Sequence, residues 1–357
     1  MRAVALLRAA QPPTVVELAA PAPSADQVVV EVHHSSLNPH DQMVASGEAA
    51  RYLQYRYPVV LGTDLVGRVV AVGQKVPDLQ PGDLVFGLVR ELVASAGAFA
   101  EFVAVRREHI STLPDSVDVR QAGAAGLAGV TALRCLDNLA LRDGDTVLVH
   151  GASGGVGTIL VQLLLNRGAH VIATTRSRAG AALLTGLGVP DIEVAHDLDG
   201  AVLALSQRGL ADHPVTAVVD LASTGEAWAT APGGALAGVR TVVSTRHAAP
   251  THLEAVAGVN VVALADKQTL TRLAHALATG SVHIPLARAV SIDEAVDLLQ
   301  TPSAGLGKVS VAIREHRSSP DAPRPPERHL ARSPELGSNT ATTPTRGAVP
   351  RPAGIER

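Results

Sequence analysis

The apolar positions follow two regimes along the chain. Up to about residue 120 they come in short runs: Ala3–Leu7, Val15–Leu18, Val28–Val32, Leu65–Val72, Leu84–Leu88 and Phe99–Val105. Prolines and glycines separate them, among them Pro21, Pro23, Pro39, Pro58, Gly62, Gly73, Gly87 and the Pro81-Gly82-Asp83 turn. Short, β-rich runs closed by turn residues predict a compact β-barrel-like domain. From 121 to about 265 the pattern alternates between helix and strand. Helices are predicted at 122–139, 156–167, 179–187 and 200–208, and strands at 146–149, 170–175, 192–195, 215–221, 239–244 and 259–264. That alternation predicts a doubly wound parallel sheet. A helix at 269–278, a strand at 287–290, a helix at 292–299 and a strand at 308–313 follow.

Inside the alternating region one stretch carries chemistry. In DTVLVHGASGGVGTILVQ a β-branched strand runs into Gly151, Gly154 and Gly157 at three-residue spacing, and a helix follows. Glycines allow tight turns and close approach of a phosphate to backbone N–H groups at a helix N-terminus. The spacing is a variant of the dinucleotide fingerprint. The next strand ends in Thr174, Thr175, Arg176, Ser177 and Arg178. A fold choosing NAD presents an acid there for the ribose hydroxyls. This chain presents two guanidiniums, able to take a 2′-phosphate, so NADPH is the predicted cofactor. Solvent-facing arginines at a helix start are the plain alternative. Asp220 closes a buried strand at its carboxyl end, where such folds place ligands.

Composition narrows the partners. Net charge is −3 and aromatics make up 2% of the 357 residues, which argues against nucleic acid. The single cysteine, Cys135, rules out an intrachain disulfide or a cysteine-rich zinc site, and its helical context predicts a buried inert thiol. No apolar run reaches membrane-spanning length, and Ala3–Leu7 is too short for a signal segment, so a cytoplasmic protein is expected. From Glu315 prolines, serines and charges dominate, which predicts a disordered tail over 315–357.

Gly144, Asp145, Leu148, Ala152, Ser153, Gly154, Gly155, Gly157 and Gln162 together resemble the signature of the zinc-free quinone oxidoreductases of the medium-chain dehydrogenase/reductase superfamily. Leu165 departs from it, and at Leu61, before Gly62, relatives usually have proline. The resemblance runs from Met1 to about 314. It implies an α/β fold in which a chaperonin-10-like β-barrel catalytic domain (1–120) carries an inserted Rossmann-type NADPH-binding domain (121–265). The chain would return to the catalytic domain over 266–314, leaving the active site in the cleft between the two.

The resemblance also implies roles. Ala152, Ser153, Gly154, Gly155, Val156 and Gly157 would cradle the cofactor, with Thr131, Ser244, Thr175, Arg176, Ser177, Arg178 and His196 completing its site. Thr131 can equally bond its own preceding helical turn. Zinc alcohol dehydrogenases carry a cysteine and a histidine ligand where this chain has Asn38 and Thr63, neither a credible zinc ligand. No other metal-binding pattern stands out among the 14 histidines, so no catalytic metal is expected. Without a Lewis acid the acceptor must spread incoming charge itself, which predicts a quinone or an α,β-unsaturated carbonyl. Asn38-Pro39-x-Asp41 matches the relatives' stretch beside the nicotinamide. Asn38 would orient substrate or cofactor, while Asp41 is open to a catalytic or a turn-holding role. Two residues on, relatives carry a tyrosine acid, and here the position is Met43. Tyr52, Tyr55, Tyr57, His40 or water would then supply the proton.

The resulting expectation is an NADPH-dependent, zinc-free reductase of a small quinone or enone. Two rivals remain: an enoyl reductase acting on a natural-product or thioester intermediate, and a non-catalytic NADPH-binding protein of the same fold, which Met43 favours. The apolar run Val259–Ala265 reads as an edge strand needing cover, and with the family resemblance it predicts a homodimer.

Overall fold

The computed structural model describes residues 1–208, 214–223, 228, 236–250, 255–301 and 305–314. The expected tail lies outside these residues.

The short apolar runs do become strands. In order they are β1 (Arg2–Leu6), β2 (Thr14–Glu17), β3 (Gln27–Leu37), β4 (Gln54–Tyr55), β5 (Val59–Val60), β6 (Asp64–Val72), β7 (Leu84–Leu88), β8 (Val93–Ala94), β9 (Phe102–Arg106) and β10 (Ile110–Thr112). Helix α1 (Pro39–Ser46) sits between β3 and β4. Next come helices α2 (Val119–Ala122) and α3 (Gly126–Asp137), then β11 (Thr146–His150), α4 (Gly155–Leu165), β12 (His170–Thr175), α5 (Arg178–Gly186), β13 (Asp191–Val194), α6 (Leu198–Arg208), β14 (Val215–Asp220), β15 (Thr241–Ser244) and β16 (Ala257–Asn260). Helix α7 (Lys267–Ala278), β17 (Leu286–Ser291), α8 (Ile292–Leu299) and β18 (Lys308–Ala312) complete the described order.

Two sheets organise the site. The first runs β10-β7-β6-β3-β18-β17, with β9 also on β3. Strand β18 pairs antiparallel with β3, Val309 opposite Leu37, so the last strand lies beside the early Asn38 segment. The second sheet is parallel, in the order β13-β12-β11-β14-β15-β16. The order reverses between β11 and β14, and ligands bind in the crevice beyond the strand ends at such a switch point. Strands β11, β12 and β14 are buried on both faces, which explains their continuous β-branched runs.

Three sequence expectations shift. The predicted helix 122–139 runs only from Gly126 to Asp137, with the short α2 ahead of it, and in the connection a Cβ on Gly123 would lie 2.9 Å from His34 and Val66. The Asn38-Pro39-x-Asp41 stretch opens helix α1 instead of a bare turn. Asn38 is its N-cap, Pro39 its first residue, and Asp41 accepts the Asn38 backbone N–H at 2.8 Å. The edge strand ends at Asn260, earlier than the apolar run suggested, although β16 does lie at the sheet edge. Beyond it Val261 and Ala263 are buried, while Val262 and Leu264 are 43% and 61% exposed. Cys135 is a buried free thiol, and burial pushes its pKa up to about 12. Among the described residues no helix is long and apolar enough to cross a membrane.

Candidate active site

A cleft of about 1150 Å³ is lined from both sheets. One wall is the glycine turn and the ends of β12 to β15; the other is the segment Leu37–Met43 with Arg90 and the start of β18.

On the first wall each glycine has its own reason. Gly151 has φ +80°, a conformation that side chains disfavour. A Cβ at Gly157 would lie 2.5 Å from the Ala152 carbonyl oxygen, so this glycine lets α4 pack onto the turn. A Cβ at Gly155 would meet the Lys308 stem at 2.7 Å. Only at Gly154 is the space open, with the Gly151 carbonyl oxygen 3.5 Å away. The phosphate-approach role expected of the whole turn therefore fits Gly154 best, at the N-terminus of α4. Thr174 braces the turn: its hydroxyl bonds His150 Nδ1 (2.7 Å) and accepts the Gly151 N–H (3.2 Å). The Ser153 and Thr175 hydroxyls are 2.8 Å apart. The signature Asp145 lies away from the cleft, where it pairs with Arg240 at 2.9 Å.

The remaining cofactor candidates divide. Thr131, Ser153, Gly154, Gly155, Val156, Gly157, Thr175, Arg176 and His196 line the cleft; Ala152, Ser177, Arg178 and Ser244 do not. Ser177 caps α5 by accepting the Gly180 N–H (3.1 Å). Ser244 accepts the N–H groups of Arg246 and Ala248 (3.0 and 3.2 Å) and so shapes the loop after β15. Thr131 donates to the Leu127 carbonyl (2.7 Å), the helical back-bond weighed above. Both arginines are exposed, and Arg176 lines the cleft while Arg178 does not. Asp197 and Asp199 also line this end, although Asp197 is engaged in capping α6 through the Gly200 N–H (2.8 Å). Asp220 is spent on structure, accepting from Ser223 N (2.9 Å) and Trp228 Nε1 (2.9 Å).

The second wall is a buried polar network that the sequence did not disclose. Lys308 is 4% exposed and Asp64 is 0% exposed. The Lys308 ammonium donates to Asn38 Oδ1 (2.5 Å), the Leu37 carbonyl (3.2 Å) and Asp64 Oδ2 (3.3 Å), using its three protons. Asp64 also accepts from Asn38 Nδ2 (2.9 Å), the Ser36 hydroxyl (2.5 Å) and Leu127 N–H (2.6 Å). Asn38 lines the cleft, but both ends of its amide are engaged in this network, so its reach toward a ligand is held by Lys308 and Asp64. Asp41 is 2% exposed and does not line the cleft. It accepts from the Thr63 hydroxyl (2.6 Å) and the Asn38 N–H, contacts that hold the start of α1. Burial, with Asp64 nearby, pushes its pKa up to about 7 against those hydrogen bonds.

The proton-donor candidates separate as well. The Tyr55 hydroxyl donates to the Val44 carbonyl (2.9 Å), and burial raises its pKa to about 12. Tyr57 stands edge-on to Tyr55. His40 lines the cleft, but burial, with Arg90 beside it, lowers its pKa to about 4. Tyr52 stacks on His40, and its hydroxyl reaches within 4.0 Å of the Met43 sulfur.

Known proteins bear on this arrangement. The family model of the alcohol dehydrogenase GroES-like domain matches residues 24–115. The quinone oxidoreductase of Mus musculus is 34% identical over 177 residues, 49% of this chain and 52% of that protein. The chain thus spans about half the length of the curated relatives it matches. The structure of the quinone oxidoreductase from Coxiella burnetii superposes with a TM-score of 0.71 at 26% identity, covering 88% of this chain and 99% of that one. The Escherichia coli quinone oxidoreductase complexed with NADPH shares the fold, with a TM-score of 0.72 at 20% identity over 87% of this chain and 100% of that one. A GroES-like domain match, a switch-point parallel sheet and quinone oxidoreductases as relatives in sequence and structure make this chain similar to the quinone oxidoreductases of the medium-chain dehydrogenase/reductase superfamily.

Proposed function

We propose that the chain is an NADPH-dependent oxidoreductase that transfers hydride to a quinone or an α,β-unsaturated carbonyl without zinc. The observation that carries this reading is the Lys308 ammonium bonded to Asn38 Oδ1 and Asp64. Where zinc relatives present a cysteine and a histidine, this chain has Asn38 tied to that ammonium and Thr63 tied to Asp41. An amide and a hydroxyl do not suit a zinc ion, and the Lys308 ammonium already occupies the Asn38 oxygen while pairing with Asp64. A conjugated acceptor, which delocalises incoming charge, suits a site of hydrogen-bond donors.

The cofactor reading is supported by the open approach at Gly154, the N-terminus of α4, and the absence of an acid at the end of β12. The bound reduced nicotinamide would supply the hydride. Arg176, with His196, would meet the 2′-phosphate; Arg178 lies outside the cleft. Asn38, held by Lys308 and Asp64, would keep one geometry while the acceptor docks. Tyr52 supports the enzyme over the non-catalytic reading, because its hydroxyl approaches the place of the relatives' tyrosine acid that Met43 leaves vacant of a proton donor. A homodimer closed along β16, with Val262 and Leu264 beneath the contact, belongs to the same proposal, and light scattering checks it. The function is tested by following NADPH oxidation over quinones, enones and enoyl thioesters, with and without chelator. Turnover of a quinone or enone that survives chelator is the expected result, and no turnover on any of them would overturn the reading.

A further inference from the structure

Arg90 stands out among the arginines of the first domain. Arg2, Arg68, Arg106, Arg107, Arg120 and Arg314 each pair with a carboxylate, and Arg8, Arg51 and Arg56 are exposed. Arg90 is half-buried, lines the cleft, and among the described residues its guanidinium has no hydrogen bond or ion pair. The acid next to it in the chain and the two buried acids of the second wall are committed elsewhere. Glu91, next in the chain, bonds Arg106 Nε at 3.0 Å; Asp64 holds Lys308; Asp41 holds Thr63. The same cleft is lined by Leu37, Pro39, Met43 and Leu127, and His40 and Tyr52 lie near Arg90. With its pKa near 4, His40 stays neutral at physiological pH and leaves Arg90 the local charge. Burying a guanidinium without a partner is costly, and a bidentate carboxylate would relieve that cost.

We propose that Arg90 is the anion-binding residue of the acceptor half of the cleft, and that the acceptor is a conjugated carbonyl compound bearing a carboxylate. This rests on the hydride-transfer reading for the word acceptor, but the binding claim can be tested without turnover. The probes are trans-benzoylacrylate and its uncharged ethyl ester, titrated calorimetrically into the protein saturated with NADP⁺. The acid is expected to bind at least roughly tenfold tighter than the ester. Arg90→Leu should erase that difference, Arg90→Lys should keep part of it, and affinity for NADPH should not change. Equal affinity for acid and ester in the unaltered protein would overturn the proposal, and this comparison decides it even if the variants fail to fold. An Arg90→Leu variant that loses NADPH affinity and keeps the acid–ester difference would overturn it too, by assigning Arg90 to the cofactor. If both compounds bind as expected but neither is reduced with NADPH, the anion site stands and the hydride-transfer reading loses its enone arm.

Discussion

The two walls of the cleft are built in opposite ways. The cofactor wall is local: β11, the glycine turn and the start of α4 form one continuous stretch, braced by Thr174 from the adjacent strand. The acceptor wall is assembled from a distance, since Lys308 reaches Asn38 across 270 positions of chain and Asp64 across 244. The walls meet where Gly307 N–H donates to the Ser153 carbonyl (3.0 Å) and the Lys308 stem packs over Gly155. A local motif can bind a cofactor wherever it folds. A buried ionic network works only when three segments arrive together, and then it fixes one geometry beside the reacting centre.

The sharpest way to break this contrast is to remove the ammonium. Lys308→Met leaves Asp64 buried with an uncompensated charge, and a loss of about 3–5 kcal/mol in urea unfolding is expected. A neutral result would mean that the network contributes nothing to holding the walls together. Within the cofactor wall two glycines should behave differently. Gly157→Ala forces a Cβ against the Ala152 backbone and should cost about 1–3 kcal/mol of stability. Gly154→Ala has local room, so it should leave stability nearly intact while weakening NADPH binding measured by fluorescence titration.

Asp41 sharpens the description of the acceptor wall. Its folded pKa of about 7 lies above the ordinary value of 3.8, so the folded state holds this proton more tightly than the unfolded chain. Its contribution to stability therefore falls as pH rises from about 4 to about 7 and is flat above that. Asp41→Asn cannot titrate. Relative to that variant, the parent protein should lose on the order of 2 kcal/mol between pH 5 and pH 8 in paired denaturation curves. A constant difference would show that Asp41 is charged throughout. The smallest effect expected is at the rim of the cofactor wall. Arg176→Ala should narrow the preference for NADPH over NADH by roughly tenfold, the worth of one partly exposed charged hydrogen bond, while Arg178→Ala should leave the ratio unchanged. Equal losses at the two positions would contradict their placement inside and outside the cleft.

The same contrast explains what could be read in advance. Strands β7 and β12 have the bounds predicted, and the glycine turn is where the spacing put it, because periodicity and turn chemistry act over a few residues. Helix α1 had a usable signal: Asn38, Pro39 and Asp41 are an N-cap, a first-position proline and a capping acid, but their match to a turn pattern concealed it. The run after Asn260 misled because Val261 and Ala263 alternate with Val262 and Leu264 like a strand, although the chain has left the sheet. Lys308 and Arg90 had no local signature at all. One became legible only when β18 paired with β3, and the other only when the folded chain put an unpaired guanidinium on the cleft.

The central claim is that hydride passes from NADPH to a conjugated acceptor in this cleft. It is tested most directly with NADPH carrying deuterium at the transferring position of nicotinamide, incubated with the protein and an enone that it reduces. Mass spectrometry of the product should show one deuterium on the carbon β to the carbonyl. Product without deuterium, or NADPH that remains unoxidised beside every quinone and enone offered, would contradict the account.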